Sequence, residues 1–456
     1  MVEKEINNLL DKRRKKVKAA VSEVKKYNGE KIPLSSAQKG IWYYDHINKN
    51  AKFTLCSVTK IIGKINCDIF RNTIEDIVNL NEIFKVNFLE DQLGIPYQYL
   101  NSKASNSFFE VHHSKQFDIL SYISDESNHF MDLKSDRLIH FTLVEINTNM
   151  YYLIVAIHHI ISDELSLHFL LNDIFNIYQE KMLGRGIKYK NRNGYLDYCI
   201  KESKEMIDKA YWEKKLRNIN PMEMFRPKSI IQNCEGEGHF EILFPQNIVK
   251  LMDEFSKKQQ FTMFSIFLGG LVTALFLLSG DQRLSLMTPF SNRKIGNYFD
   301  AYGMFVHNIL LVFEIDYFDT YMDIQTKVSQ EINKSYDNSQ KSYDDLIHIV
   351  NAPKDLMCLQ NNIVFTYLEN EDFHKRTEDF EVIESEIIKK DEHNNLSVIV
   401  SKESKDWKAD FLFLDQQLKR NVIKLAEKYI NILEECLKNY NIPIIDLIEV
   451  GGEKNE

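Results

Sequence analysis

Tyr151-Tyr152-Leu153-Ile154-Val155-Ala156-Ile157-His158-His159-Ile160-Ile161-Ser162-Asp163 is the stretch whose reading decides the fold. Residues 151–157 are an apolar, β-prone run and predict a buried strand. The strand ends in two imidazoles, His158 and His159. Beyond Asp163, the residues Leu167, Leu170, Leu171, Ile174 and Tyr178 recur at the spacing of one helix face. The predicted order is therefore strand, polar turn, helix. A polar pair at a strand's end is well placed for chemistry, because the strand fixes the backbone while the side chains face an opening.

The chain's 456 residues suffice for two ordinary domains or one large one, and its 44% apolar content is that of a globular protein. Lys and Arg number 57 against 66 Asp and Glu, a net charge of -9 that argues against non-specific nucleic-acid binding. Six cysteines (Cys56, Cys67, Cys199, Cys234, Cys358 and Cys436) include no C-x-x-C pair. Neither a disulfide framework nor a zinc site is indicated, and buried free thiols in a reducing cytoplasm are expected. The basic run Asp11-Lys12-Arg13-Arg14-Lys15-Lys16 is followed by no apolar signal segment. The longest apolar run, 263–278, is interrupted by Ser265, Gly269, Gly270 and Thr273. It falls short of the roughly 20 residues that span a bilayer and predicts a buried helix, with no membrane partner. No G-x-S-x-G elbow, Walker loop or H-E-x-x-H motif is present.

His158-His159-Ile160-Ile161-Ser162-Asp163 resembles the His-His-x-x-x-Asp-Gly signature of the condensation domains of nonribosomal peptide synthetases, relatives of chloramphenicol acetyltransferase. A second pair, His112-His113, also ends an apolar stretch, but Phe117 stands where the signature requires Asp. The collinear remainder of the chain decides. Pro33-Leu34-Ser35-Ser36-Ala37-Gln38-Lys39-Gly40-Ile41-Trp42 is similar to the family's opening motif, with Ser35 or Ser36 suited to cap a helix. Asn81-Glu82-Ile83-Phe84-Lys85 is a loosened second motif, in which Lys85 replaces an Arg and loses its planar fork. Tyr195-Leu196-Asp197-Tyr198 is similar to the fourth motif, followed by Tyr211-Trp212. Thr288-Pro289 with Asn292-Arg293, then Gly303-Met304-Phe305-Val306-His307-Asn308, and a loosened 339–347, continue the family's order. The resemblance covers about residues 31–450.

It implies an α/β fold of two chloramphenicol acetyltransferase-like lobes, a V-shaped pseudo-dimer with a tunnel between them. The expected division is 1–30 as a charged amphipathic helix, either solvated or a docking segment, 31–215 as the lobe carrying the His-His motif, and 216–456 as the second lobe. It further implies amide formation, an amine attacking a carrier-bound acyl thioester. No cofactor is expected to be bound, since substrates ride on the phosphopantetheine of partner carrier proteins. Peptidyl or acyl carrier proteins and a small amine or aminoacyl acceptor are the expected partners of a cytoplasmic monomer. With no adenylation or carrier segment in the sequence, a separate condensation protein is expected.

The expected catalytic residues are His159, His158 and Asp163. His159 does the acid–base or amine-orienting work, since a neutral imidazole near pH 7 suits an amine that loses a proton. His158 is expected to be turned into the fold. The resemblance pairs Arg293 with Asp163, and a helix N-cap is a second role open to that carboxylate. Glu164, Ser166, His307 and Asn308 are expected along the substrate passage. Glu164 stands where the signature has Gly. It narrows the passage, binds a cationic amine or marks lost catalysis; as a first-turn acid it also simply suits the helix dipole. Two alternatives to amide formation stay open, a noncatalytic domain that recruits carrier or tailoring proteins and an acyltransferase to a free amine or alcohol.

Overall fold

The structure is a computed structural model and describes residues 30–47, 53–101, 108–113, 118–127, 130–185, 190, 192–219, 222–225, 238–293, 298–342, 345–346, 362–369, 375–388, 394–403 and 406–446. The expected N-terminal helix, Cys234, Cys358 and the expected motif residues Tyr343, Asp344 and Ile347 lie outside these. Two compact units are present. The first takes the chain up to Glu205 together with Ser291–Val306 and Asp372–Lys389; the second takes Met206–Phe290, His307–Glu371 and the chain from Lys390.

The first unit is built on a six-stranded sheet. Its strands run in the order Lys375–Arg376, Phe380–Ile388, Thr54–Gly63, Met150–His158, Ile139–Asn147, Phe109–His113. The histidine strand, Met150–His158, is central, pairing antiparallel with Thr54–Gly63 on one side and with Ile139–Asn147 on the other. Both of its faces are covered. Leu153, Val155 and Ile157 join the main core with Phe70, Ile74 and Leu171, while Ile154 packs with Cys56, Ile123 and Val144. Double coverage explains why the sequence there is continuously apolar rather than alternating. The helix beyond the motif, Glu164–Met182, buries Leu167, Leu170, Leu171, Ile174 and Tyr178 as its periodicity predicts.

The second unit repeats the theme with a sheet ordered Val306–Glu314, Arg283–Ser291, Ile363–Leu368, Leu396–Glu403, Asp406–Phe413, Gly238–Leu243. The apolar run forms the helix Met263–Ser279, buried continuously from Ser265 to Phe276. Among the described residues no single helix is long and apolar enough to cross a membrane. Cys56, Cys199 and Cys436 are buried free thiols and Cys67 is half-buried.

The segment 298–305 lies against the helix Glu164–Met182 and depends on a glycine. Gly303 has φ +157°, and a Cβ there would meet Cδ2 of Tyr195 at 2.0 Å. Tyr195 is itself 1% exposed, so its ring has no room to retreat. Gly303→Ala is therefore expected to lower the free energy of unfolding by about 1–3 kcal/mol, seen as a lower denaturant midpoint. A midpoint equal to that of the parent would contradict the packing.

Candidate active site

The strand Met150–His158 ends in a 3₁₀ turn, His159–Ile161, which leads directly to the helix Glu164–Met182. The two imidazoles are treated oppositely. His158 is 3% exposed, and its Nδ1 accepts the Ile160 amide at 3.1 Å. Its ring proton is therefore on Nε2. Burial, with His159 as a second and smaller cause, holds its pKa down at about 3. His158 is a neutral ring that caps the turn. His159 is half-buried, and its Nδ1 lies 2.7 Å from the Ser162 carbonyl oxygen. A carbonyl only accepts, so Nδ1 carries the proton and Nε2 holds the basic lone pair of the neutral ring.

Asp163 is fully buried and caps the helix, accepting the Ser166 amide at 2.8 Å. The same oxygen accepts Nη2 of Arg293 at 2.7 Å, and its second oxygen accepts the Phe305 amide at 3.2 Å. The expected pairing and the expected cap are thus both present in one carboxylate. Arg293 is buried, donates Nη1 to the Ala301 carbonyl at 2.5 Å, and lies over the Phe305 ring at 4.1 Å. The Ser166 hydroxyl donates to the Gly303 carbonyl at 2.9 Å and accepts both the Gly303 amide and Nη2 of Arg293. Its polar capacity is taken up inside the fold. Glu164 is the half-buried first residue of the helix.

His307 and Asn308 lie on the strand Val306–Glu314. His307 is 6% exposed and donates Nε2–H to the Ser339 carbonyl at 3.1 Å. The second pair, His112-His113, ends an edge strand instead, where His113 meets Glu145 at 2.8 Å and His112 meets Glu110 at 3.4 Å on the surface. In the second motif, the Lys85 ammonium bonds the Asn79 carbonyl at 2.7 Å and Asn81 closes the preceding helix.

Sequence reasoning missed a second buried ion pair. Asp173, on the apolar face of the motif helix, accepts Nη2 of Arg192 at 2.8 Å and the Tyr302 hydroxyl at 2.6 Å. Arg192 also donates to the Asp300 carbonyl at 2.9 Å. The available signal was Asp173 itself, a carboxylate between Leu171 and Ile174 where the helix period demands burial. Also missed was a polar network under the opening motif. Ser35 and Gln38 form a reciprocal cap, each side chain accepting the other's amide at 3.0 Å. Ser35 bonds the Tyr195 hydroxyl at 2.9 Å, which donates to the Met304 carbonyl at 2.6 Å. Glu202 accepts the Ser36 amide at 2.7 Å.

Among the described residues, His239, Glu241 and Asp410 bring three metal-ligand atoms within 4.8 Å of one another, on exposed strands of the second unit. Lys408 lies 3.2 Å from Glu241 and 3.6 Å from Asp410, so those carboxylates already have a counter-ion.

Against known families, the model described as "Condensation domain" matches residues 28–453. The chain belongs to that family. As a condensation domain it is 21% identical over 440 residues to surfactin synthase subunit 1 of Bacillus subtilis (strain 168), covering 93% of this chain and 12% of the relative. Gramicidin S synthase 2 of Aneurinibacillus migulanus is 22% identical over 441 residues, covering 93% of this chain and 10% of the relative. The chain thus spans about a tenth of the length of these curated relatives. Among solved structures, the first condensation domain of the calcium-dependent antibiotic synthetase, in complex with a substrate analogue, superposes with a TM-score of 0.74 at 13% identity, covering 92% of this chain and 98% of that one. The complex of the X-domain and OxyB from teicoplanin biosynthesis gives 0.76 at 13% identity, covering 93% and 97%. The fold is that of the condensation domains.

Two stability predictions come from this geometry. Asp163→Ala leaves Arg293 buried without its partner and is expected to lower the unfolding free energy by about 3–5 kcal/mol, measured by chemical denaturation. For His158, the folded pKa of about 3 lies below the ordinary 6.5. The unfolded chain therefore binds more protons between these values, so the contribution is complete above pH 6.5 and is lost as the pH falls toward 3. The unfolding free energy of His158→Phe should lack a slope of up to about 1.4 kcal/mol per pH unit that the parent shows in that window. Parallel pH profiles for the two proteins would refute a buried neutral His158.

Proposed function

We propose that this condensation domain forms an amide by attack of an amine on a carrier-bound acyl thioester, with His159 as the catalytic residue. The observation that carries the reading is the His159 tautomer. With Nδ1–H held by the Ser162 carbonyl, the lone pair at Nε2 is the atom suited to accept a hydrogen bond or a proton from the attacking amine. The amine nitrogen bonds to the thioester carbon and the carbonyl π electrons move to oxygen. Collapse then breaks the carbon–sulfur bond. The proton lost by the amine passes through Nε2 to the departing phosphopantetheine thiolate, so charge and atoms balance. Holding the amine against the thioester contributes to the rate independently of proton transfer.

Asp163 and Arg293 act at one remove, fixing the start of the helix and so the turn that carries the imidazole. His158 stays neutral and caps the same turn. Carrier proteins bearing the donor, and a free or tethered amine as acceptor, are the partners of this reading, and the protein itself binds no resident cofactor in it. The kinship with peptide synthetases supports it.

One observation favours a second reading, recruitment of carrier or tailoring proteins without catalysis. Glu164 places a carboxylate at the first helical position after the motif Asp, where the family signature has Gly. In the catalytic reading the same carboxylate selects a cationic acceptor, in which case a free amine is the substrate to test, with a free alcohol as the neutral comparison.

Intact-mass detection of the product separates these readings. The protein, loaded acyl carriers and a panel of free and tethered amines are combined, with His159→Ala and Glu164→Gly alongside. Amide formation by the parent, reduced roughly 10²–10⁴-fold in His159→Ala, is expected. Glu164→Gly should shift the preference between free cationic and tethered acceptors. Carrier binding without product from the parent would support recruitment and overturn the catalytic reading.

A further inference from the structure

The turn that carries His159 is held by main-chain and side-chain bonds together, the Asp163 amide at its end donating to the Gly303 carbonyl at 3.2 Å. The His159 amide donates to the Phe53 carbonyl at 2.6 Å and the His159 carbonyl accepts the Ser162 amide at 3.3 Å. The carbonyl of Ile160, in the middle of the turn, is bonded by a side chain from elsewhere in the first unit. Gln38 Nε2 donates to it at 3.0 Å. Gln38 is fully buried, on the first turn of the helix Ser36–Ile47. Its oxygen accepts the Ser35 amide at 3.0 Å and Nε2 of Gln98, also buried, at 3.0 Å. Gln98 in turn donates to the Pro33 carbonyl at 3.1 Å.

These partners fix the amide's orientation. Flipping Gln38 would set oxygen against the Ile160 carbonyl and NH₂ against the Ser35 N–H, two clashes of like polarity in a site closed to water. The Ile160 carbonyl lies two peptide groups before the Ser162 carbonyl, so its orientation sets how the chain enters the Ser162 peptide, whose other end is held where the Asp163 amide donates to the Gly303 carbonyl. The Ser162 carbonyl is the acceptor that holds His159 Nδ1–H. Gln38 therefore has a line of action on the imidazole through two peptide groups and no direct contact with it.

We infer that Gln38 is a positioning residue for His159, holding the Ile160 carbonyl so that the imidazole keeps its proton on Nδ1 and its lone pair on Nε2. This role deepens the catalytic reading above and rests on it for its effect on turnover, but not for its effect on the ring.

The test uses Gln38→Met, which keeps the volume and loses the donor, and Gln38→Glu, which keeps an oxygen for Ser35 and Gln98. Ring nitrogen NMR of the full chain, with His159 assigned by its absence in His159→Ala, reads the tautomer. Amide formation reads the consequence. In Gln38→Met the Nδ1–H tautomer should lose its dominance, and turnover should fall roughly 10–100-fold with little change in the apparent affinity for the loaded carrier. In Gln38→Glu the protonated carboxyl can donate to Ile160 and the ionised one repels it. Its tautomer and turnover should therefore show an added titration, displaced upward by burial, that the parent lacks.

A folded Gln38→Met with the parental ring spectrum and turnover would overturn the role. If that variant does not fold, a Gln38→Glu pH profile identical to that of the parent would do so. If the parent forms no amide with any acceptor, the catalytic reading fails on its own, and the ring spectra still decide what Gln38 does.

Discussion

The buried contact between Asp163 and Arg293 is the constraint on which the rest of this site depends. Their side chains are 1% and 4% exposed and 2.7 Å apart. Removing two charges from water costs several kcal/mol each, and their mutual attraction offsets this only when the remaining hydrogen-bonding capacity is also used. Here it is used. The carboxylate takes the amides of Ser166 and Phe305 as well as the guanidinium. The guanidinium takes the Ala301 carbonyl and the Ser166 hydroxyl. The pair thereby fastens the start of the motif helix to the segment 298–305, and Asp173 with Arg192, Asp300 and Tyr302 repeats the attachment further along the same helix. Two attachments resist both sliding and rotation, whereas a single ion pair would leave the segment free to pivot.

Much of this was legible before any coordinates. The continuous apolar run 151–157 belongs to a strand covered on both faces, and the 3.6-residue spacing from Leu167 to Tyr178 marks the face that helix buries. Asp163 as an N-cap follows from helix-end chemistry, while its partner Arg293, 130 residues away, is reachable only through the collinear motifs. What stayed hidden has a common cause. Gln38, Tyr195, Glu202 and Arg192, the last through the Asp300 carbonyl, act through hydrogen bonds between elements far apart in sequence, and no local period or cap records such a partner. Asp173 is intermediate, since a carboxylate on an apolar stripe announces that it needs a partner without naming one.

The two histidine pairs show why residue identity alone decides little. His112-His113 and His158-His159 both end strands. The first lies on an edge strand, where His113 meets Glu145 and His112 meets Glu110. The second ends a central strand, and the chain must turn out of the sheet immediately. That turn needs a cap, which His158 supplies by accepting the Ile160 amide. An acceptor must be unprotonated at the accepting nitrogen, and burial enforces this by holding the ring neutral well below the ordinary imidazole range.

A division of labour follows between adjacent, chemically identical side chains. His158 gives up titration near neutral pH to shape the turn. His159, half-buried, has one nitrogen committed to the Ser162 carbonyl, so its orientation is set by the same turn that its neighbour caps. The carbonyl that follows them in sequence, that of Ile160, is held by Gln38. The ring itself is bonded to the Ser162 carbonyl, while Gln38 and His158 hold the two polar groups of Ile160 and Asp163 caps the helix that follows. A lone strand-end histidine would sample several rotamers and both tautomers. In the reading proposed above, restricting it to one of each is what these buried polar groups contribute in return for their desolvation cost.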